Sequence, residues 1–203
     1  MSELTPTRSV VLELRDEQRA MREGHVFLDE KCLLLAAEIV AELGRYSGLA
    51  RAVRQAGNEA TRALVAAVAR HGLEGLQVYP AMDLGDARLE QRQRSLMGVR
   101  LVDAAFVAPA ALRPATIDPS PEAEQCRLAC LALVDRAGAL AAVTGNLERL
   151  SLEYRRSLRR ARALADVLLP EVTRVTAELE TRLEELEQED AIWMSRPGRV
   201  PVR

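Results

Sequence analysis

Two long helical stretches begin and end this chain of 203 residues, and almost every glycine-proline interruption falls between them. A chain arranged in this way is expected to bring its termini together at one tip of a rod, with the interrupted segment at the other. From Val11 onward the positions Val11, Leu14, Gln18, Met21, His25, Leu28, Cys32, Leu35, Ile39, Glu42 or Leu43, and Tyr46 recur about every 3.5 residues, the spacing of a seam for a partner helix. Gln18 and His25 read as polar seam residues that fix register. Gly24 removes a side chain where another backbone could approach. The pattern continues to a stop near His71 and Gly72.

The second stretch starts after Pro119. Ser120 is placed to cap it, Pro121 suits its first turn, and Glu122 and Glu124 complement the helix dipole. Its apolar positions are Val143, Leu147, Leu150, Tyr154, Leu158, Ala161, Leu164, Leu168, Val172, Val175, Leu179, Leu183 and Leu186, about 3.6 residues apart. Pro170 is expected to delete one hydrogen bond and kink the helix without ending it, with the stripe resuming unshifted at Val172. Unbroken, residues 6–70 and 121–193 would each reach about 100 Å.

Charge gives a separate argument for pairing. Glu178, Glu180, Glu184, Glu185, Glu187, Glu189 and Asp190 make one end acidic, and Arg8, Arg15, Arg19 and Arg22 stand at a similar distance from the other end. An antiparallel arrangement places them opposite one another. The same register sets Arg155, Arg156, Arg159, Arg160 and Arg162 across from Glu38 and Glu42. Exposed pairs contribute at most about 1 kcal/mol each, so charge selects orientation and the apolar seam supplies stability.

The expected fold is therefore all-α dominated: a long antiparallel two-helix coiled coil of the N- and C-terminal helices, with a small irregular or β-hairpin middle segment. The expected divisions are an N-terminal helix over residues 1–71, the middle segment over 72–120, a C-terminal helix over 121–194 and a flexible tail over 195–203. A short hairpin is predicted around Leu96-Met97-Gly98-Val99, and Arg88, Arg92 and Arg94 give the middle segment a basic side that reads as solvated surface.

Composition narrows the function. Only 3% of the residues are aromatic and they do not cluster, so a base-stacking platform is missing and nucleic acid is not an expected partner. Net charge is −2, which favours neither polyanion nor membrane-surface binding. No transmembrane helix and no secretory signal are expected, which places the chain in the cytoplasm. Cys32, Cys126 and Cys130 read as small buried hydrophobes, without the spacing of a metal site or disulfide framework. Phosphate-loop, dinucleotide, zinc-protease and nucleophile-elbow motifs are all missing from the sequence, so no catalytic residue and no cofactor or metal ligand is assigned.

Four stretches resemble a known family. Thr5-Pro6-Thr7-Arg8 followed by Leu12, Gly24, Leu28 and Lys31 is similar to the N-terminal signature of the D subunits of V-type and A-type rotary ATPases. The run from Ser157 through Arg159, Arg160, Ala163 and Leu164 to Pro170, and the acidic run from Leu183 to Asp190, resemble that family's C-terminal region. Met97-Gly98-Val99 resembles a central family turn. Asp29, Glu30, Cys32 and Leu33 depart from a run usually filled by Lys, Arg and Asp, and Arg162 and Ala165 stand where Asn and Glu are usual.

The resemblance implies a non-catalytic rotor shaft that couples ATP synthesis or hydrolysis to proton or sodium transport. Its implied partners are the catalytic and non-catalytic nucleotide-binding A and B subunits, the F subunit of the stalk, and an adaptor on the membrane ion ring, all at the cytoplasmic face of a membrane. Pro6, Thr7, Arg8, Gly24, Arg155, Arg159, Arg160 and Arg162 are the expected protein-interface residues. A coiled-coil scaffold unrelated to rotary motors is the alternative, with a helical-bundle enzyme behind it.

Overall fold

The computed structural model describes residues 6–78, 87–108 and 119–195. Helix α1 spans Arg8–Val78, strands β1 and β2 span Arg88–Leu96 and Val99–Val107, and helix α2 spans Pro121–Ala163. A π-helical turn, Leu164–Leu168, leads into helix α3, Leu169–Ser195. The protein is mostly helical with one small antiparallel hairpin, as expected from the sequence. The tail over 195–203 lies almost wholly outside the described residues. The chain divides into two units, Met1–Leu33 with Arg155–Arg203, and Leu34–Tyr154.

Local signals account for the helix ends. Thr7 caps α1: Val10 N–H donates to its Oγ1 at 3.3 Å and Val11 N–H to its carbonyl at 3.1 Å. Helical backbone is interrupted at Gly72, whose φ of 71° lies in the left-handed region that glycine alone enters freely. Ser120 caps α2 as predicted, accepting from Ala123 N–H at 3.2 Å, and His71 Nε2 lies 2.5 Å from the same hydroxyl.

Along α1 the predicted seam is legible in the burial. Val11, Leu14, Gln18, Met21, His25, Leu28, Cys32, Leu35, Ile39 and Glu42 are all buried or half-buried. Of the alternatives Glu42 and Leu43, Glu42 is the inward residue and Leu43 is half exposed. Tyr46 is exposed, which corrects its place in the seam. In the unit made of the chain ends, Arg8 pairs with Glu187 at 2.7 Å and Arg15 with Glu180 at 2.8 Å, while Gln18 Nε2 donates to Thr173 Oγ1 at 2.5 Å. Partner numbers fall on one segment as they rise on the other, so the two run antiparallel there. Arg19 instead lies 3.9 Å from Asp16 of its own helix.

Pro170 does not end the helical path, and the stripe resumes at Val172 as expected; the one correction beside it is Leu168. Ahead of it the inward positions include Ser157, Ala161, Leu164 and Leu169, while Leu168 is exposed; beyond it they include Val172, Val175, Thr176, Leu179 and Leu183. The π turn inserts one residue, and it lies where the proline ring would strike the carbonyl of Asp166 in an α-helical turn.

In the unit Leu34–Tyr154 the hairpin packs its second strand inward. Val99 and Leu101 join Leu35 of α1 and Leu150 of α2 in one cluster, flanked by Ile39, Leu96 and Tyr154. The turn has positive φ at both Met97 (48°) and Gly98 (84°), the pattern of a two-residue type I′ hairpin. A Cβ on Gly98 would meet nothing within 4 Å, so the cost of Gly98→Ala lies in the backbone alone. We expect it to destabilise the hairpin by about 1–2 kcal/mol, and Met97→Asn to stabilise it, both measured by amide exchange of β1 and β2.

A window of α2–α3, within Pro121–Ser195, has mean hydropathy 1.5 and is long and apolar enough to cross a membrane by length and composition. The Ala- and Leu-rich run around Leu131-Ala132-Leu133-Val134 produces this. The same stretch carries Asp135, which accepts a hydrogen bond from Phe106 N–H at 3.4 Å.

Candidate partner-binding surface

The N-terminal motif is used locally. Pro6 is half-buried, Thr7 is the helix cap described above, and Arg8 donates through Nε and one terminal nitrogen to the same Glu187 oxygen at 3.0 and 2.7 Å. Arg8 is largely exposed, so this pair is worth well under 1 kcal/mol. Gly24 is not approached by backbone: a Cβ there would make an ordinary contact with Leu164 Cδ1 at 3.8 Å.

Arg155, Arg159, Arg160 and Arg162 are all exposed on the helix just ahead of the π turn. Among the described residues no carboxylate holds them. Their predicted partners are engaged elsewhere, which corrects the expected register. Glu38 is paired with Arg94 of β1, and Glu42 with Arg45 at 2.7 Å and Arg94 at 3.2 Å. The physical reason is the hairpin, which folds back against α1 and brings Arg94 within reach. Arg45 also donates to Asp103 of β2 at 2.6 Å. The Asp103 hydrogen bond, and for Arg94 the Glu38 hydrogen bond, hold these guanidinium groups even more firmly protonated than usual. Glu42 is almost fully buried, with one oxygen shared between two arginines and the other without a partner. Arg88, Arg92 and Arg94 are all exposed, as expected, but Arg94 is an ion-pair donor as well, and Arg88 sits 3.1 Å from Glu90.

Sequence reasoning missed a second polar cluster. Asn146 lies inside the apolar stripe between Val143 and Leu147 and is buried. Its Oδ1 accepts from Val102 N–H at 2.8 Å and its Nδ2 donates to Val102 carbonyl at 3.0 Å. Arg149 donates to the same Oδ1 at 2.7 Å and to the carbonyl of Arg100 at 2.8 Å. These side chains stand in for a neighbouring strand along the outer edge of β2. A polar residue interrupting an apolar stripe was the available signal.

Beside this network a crevice of about 380 Å³ is lined by Gly44, Arg45, Gly48, Leu49, Asp103, Ala104, Ala139 and Ala142. Its walls are mostly small and apolar, and their one carboxylate, Asp103, is paired with Arg45 at 2.6 Å. The cysteines differ from one another. Cys32 is buried, and burial, then Asp29, push its thiol above the ordinary range against the opposing effect of Lys31. Cys126 is half-buried and raised by burial and by Cys130, while Cys130 is exposed, correcting the expectation that all three are buried. Among the described residues no group of three His, Cys, Asp or Glu could hold a metal ion.

Comparison with known proteins gives this surface its context. A sequence model of the family described as the ATP synthase D subunit matches residues 10–196. The A-type ATP synthase D subunit of Pyrococcus furiosus is 26% identical over 195 residues, covering 94% of this chain and 91% of the relative. That of Methanopyrus kandleri is 24% identical over 206 residues, covering 97% of this chain and 86% of the relative. Matched from just inside the first helix to the end of the last, the chain belongs to the ATP synthase D-subunit family.

Proposed function

We infer that this chain is the central-stalk subunit of a rotary ATPase, coupling ATP synthesis or hydrolysis in a catalytic ring to ion transport by rotation. The observation that carries the reading is a family match over nearly the full length of a chain whose inward seam follows helical spacing from Val11 to Glu42. The relatives are D subunits of A-type ATP synthases, and in such a complex this chain acts as a non-catalytic subunit. Residues 8–33 and 155–195 pair as an antiparallel coiled coil whose polar members, Gln18 and Thr173, set register. Residues 1–71 and 121–194 serve as the two stalk helices, and 72–120 as the smaller segment toward the adaptor and the F subunit of the stalk. The membrane is reached through the complex at its cytoplasmic face.

An antiparallel helix pair presents a different face to its surroundings at each angle, so rotation changes which ring interface is favoured and with it nucleotide affinity. Arg155, Arg159, Arg160 and Arg162 are the interface residues best suited to acidic loops of the A and B subunits, because their charge is not neutralised within the described chain. Pro6, Thr7, Arg8 and Gly24 contribute to the interface by setting the start and spacing of the pair.

Co-expression with the ring subunits is expected to yield one complex containing a single copy of this chain; recovery only as a free protein across conditions would favour a scaffold instead. Within that complex, Arg159→Glu with Arg160→Glu is expected to lower rotation-coupled ATP turnover by about tenfold or more, with helical content unchanged by circular dichroism. Full turnover and assembly in this variant would remove the arginines from the force-transmitting interface.

A further inference from the structure

Two of the three cysteines share one face of α2. Cys126 and Cys130 stand one helical turn apart, and neither belongs to the apolar cluster that holds the hairpin. Cys126 is half-buried and Cys130 is exposed, and the two thiols lie within hydrogen-bonding reach of each other, so both sulfurs converge on one point of the helix surface. That point is open to solvent through Cys130. Among the described residues no third His, Cys, Asp or Glu completes a larger metal set around them.

Spacing decides what such a pair of thiols can do. A disulfide needs its Cβ atoms about 3.5–4.5 Å apart, whereas residues one turn apart on an intact helix hold theirs about 5–6 Å apart. The helix runs unbroken from Pro121 to Ala163, so closing a sulfur–sulfur bond would unwind a turn. Zinc takes three or four protein ligands, and here there are two. What the pair suits is a soft ion satisfied by two thiolates in line. Metal–sulfur bonds of about 2.3 Å set two such sulfurs about 4.6 Å apart, a span that side chains one turn apart bridge without altering the backbone.

We propose that Cys126 and Cys130 form a two-coordinate site for copper(I), the soft monovalent ion that thiolates select. Binding is written Cu⁺ + 2 RSH → [RS–Cu–SR]⁻ + 2 H⁺. Two copper–sulfur bonds form, both S–H bonds break, the protons pass to water, and the copper keeps its oxidation state. Cys126 shields the ion on one side, and the exposed Cys130 gives it an entry path. Burial and the neighbouring thiol hold Cys126 above the ordinary thiol range, so the empty pair is the protonated dithiol and the ion displaces protons as it enters. The bridge then clamps the part of α2 that Ser120 caps. Cys32 lies in the other unit of the chain with no second cysteine near it in sequence, which makes it an internal control. The inference rests on the geometry of α2 and not on the stalk reading, and it is tested without the ring.

Titration of the reduced full chain without oxygen, with copper(I) supplied as its bicinchoninate complex, reads the site. One copper per chain is expected to leave the chelator, with X-ray absorption showing two sulfur neighbours and Cys130 becoming protected from iodoacetamide. Cys130→Ser is expected to weaken binding by about a hundredfold or more, and Cys126→Ser likewise, while Cys32→Ala leaves it unchanged. Circular dichroism checks that each variant keeps its helical content; if Cys126→Ser does not fold, Cys130→Ser, altered at an exposed position, decides alone. No transfer of copper, undiminished binding by Cys130→Ser, or half an equivalent of copper joining two chains in a dimer would overturn the proposal.

Discussion

Leu101→Ala is expected to destabilise the hairpin-bearing unit by about 2–5 kcal/mol and to expose the hairpin to exchange while most of the helical signal survives. Leu101 has 0% of its surface accessible and meets Leu35 and Leu150, also fully buried, with Val99 beside it. Three elements therefore share one small cluster, and the two helices are held by their own backbone bonds and cannot collapse onto the space the leucine leaves. Most of the cavity persists, which puts the cost in the upper part of that range. Denaturant titration with amide exchange at β2 measures it. A loss below about 1 kcal/mol would mean that the ion pairs around Glu42, not the cluster, hold the hairpin.

Asn146→Leu is expected to cost about 2–4 kcal/mol, although it exchanges a polar for an apolar side chain of similar size in a buried place. Leucine serves neither the N–H nor the carbonyl of Val102, and it removes the acceptor that Arg149 uses. Each polar group left without a partner costs about 1–3 kcal/mol, softened where water can reach the edge of the strand. Asn146→Asp keeps the acceptor and loses the donor, so its cost should fall below that of leucine. The decisive readout is the Val102 amide, whose exchange protection should drop furthest in the leucine variant. Unchanged protection there would show that Arg149 and Asp135 suffice to hold the edge of β2.

Much of the helical framework was legible because it follows from periodicity and from caps that act over one turn. Ten inward positions of α1 were readable from spacing alone, and Ser120 and Pro121 marked the start of α2 by local chemistry. The hairpin was legible at Met97-Gly98, where the turn demands positive φ twice. What could not be read was long-range competition for partners. Glu38 and Glu42 looked available to arginines across a helix pair, but Arg94 lies 56 residues from Glu38 in sequence and reaches it through a folded hairpin. The π turn at Leu164–Leu168 was hidden for another reason: leucines and alanines are so dense there that spacing does not single out Leu168 as the exposed one, and only Pro170 hints at a wider turn. Among the site residues, the exposed arginines were foreseen in kind, while Asn146 and Arg149 escaped notice because their work is done on backbone atoms of another element.

The bonds from Asn146, Arg149 and Asp135 to β2 carry a consequence for how copies of this chain could associate. A two-stranded sheet ordinarily has two growing sides, and identical molecules adding at both can extend without limit. Here one side is already occupied by side chains of α2, leaving only the β1 side for a further strand. Two such hairpins joined through β1 would each use their sole vacancy, so the symmetric product is a closed dimer in which polymer growth terminates at the first step.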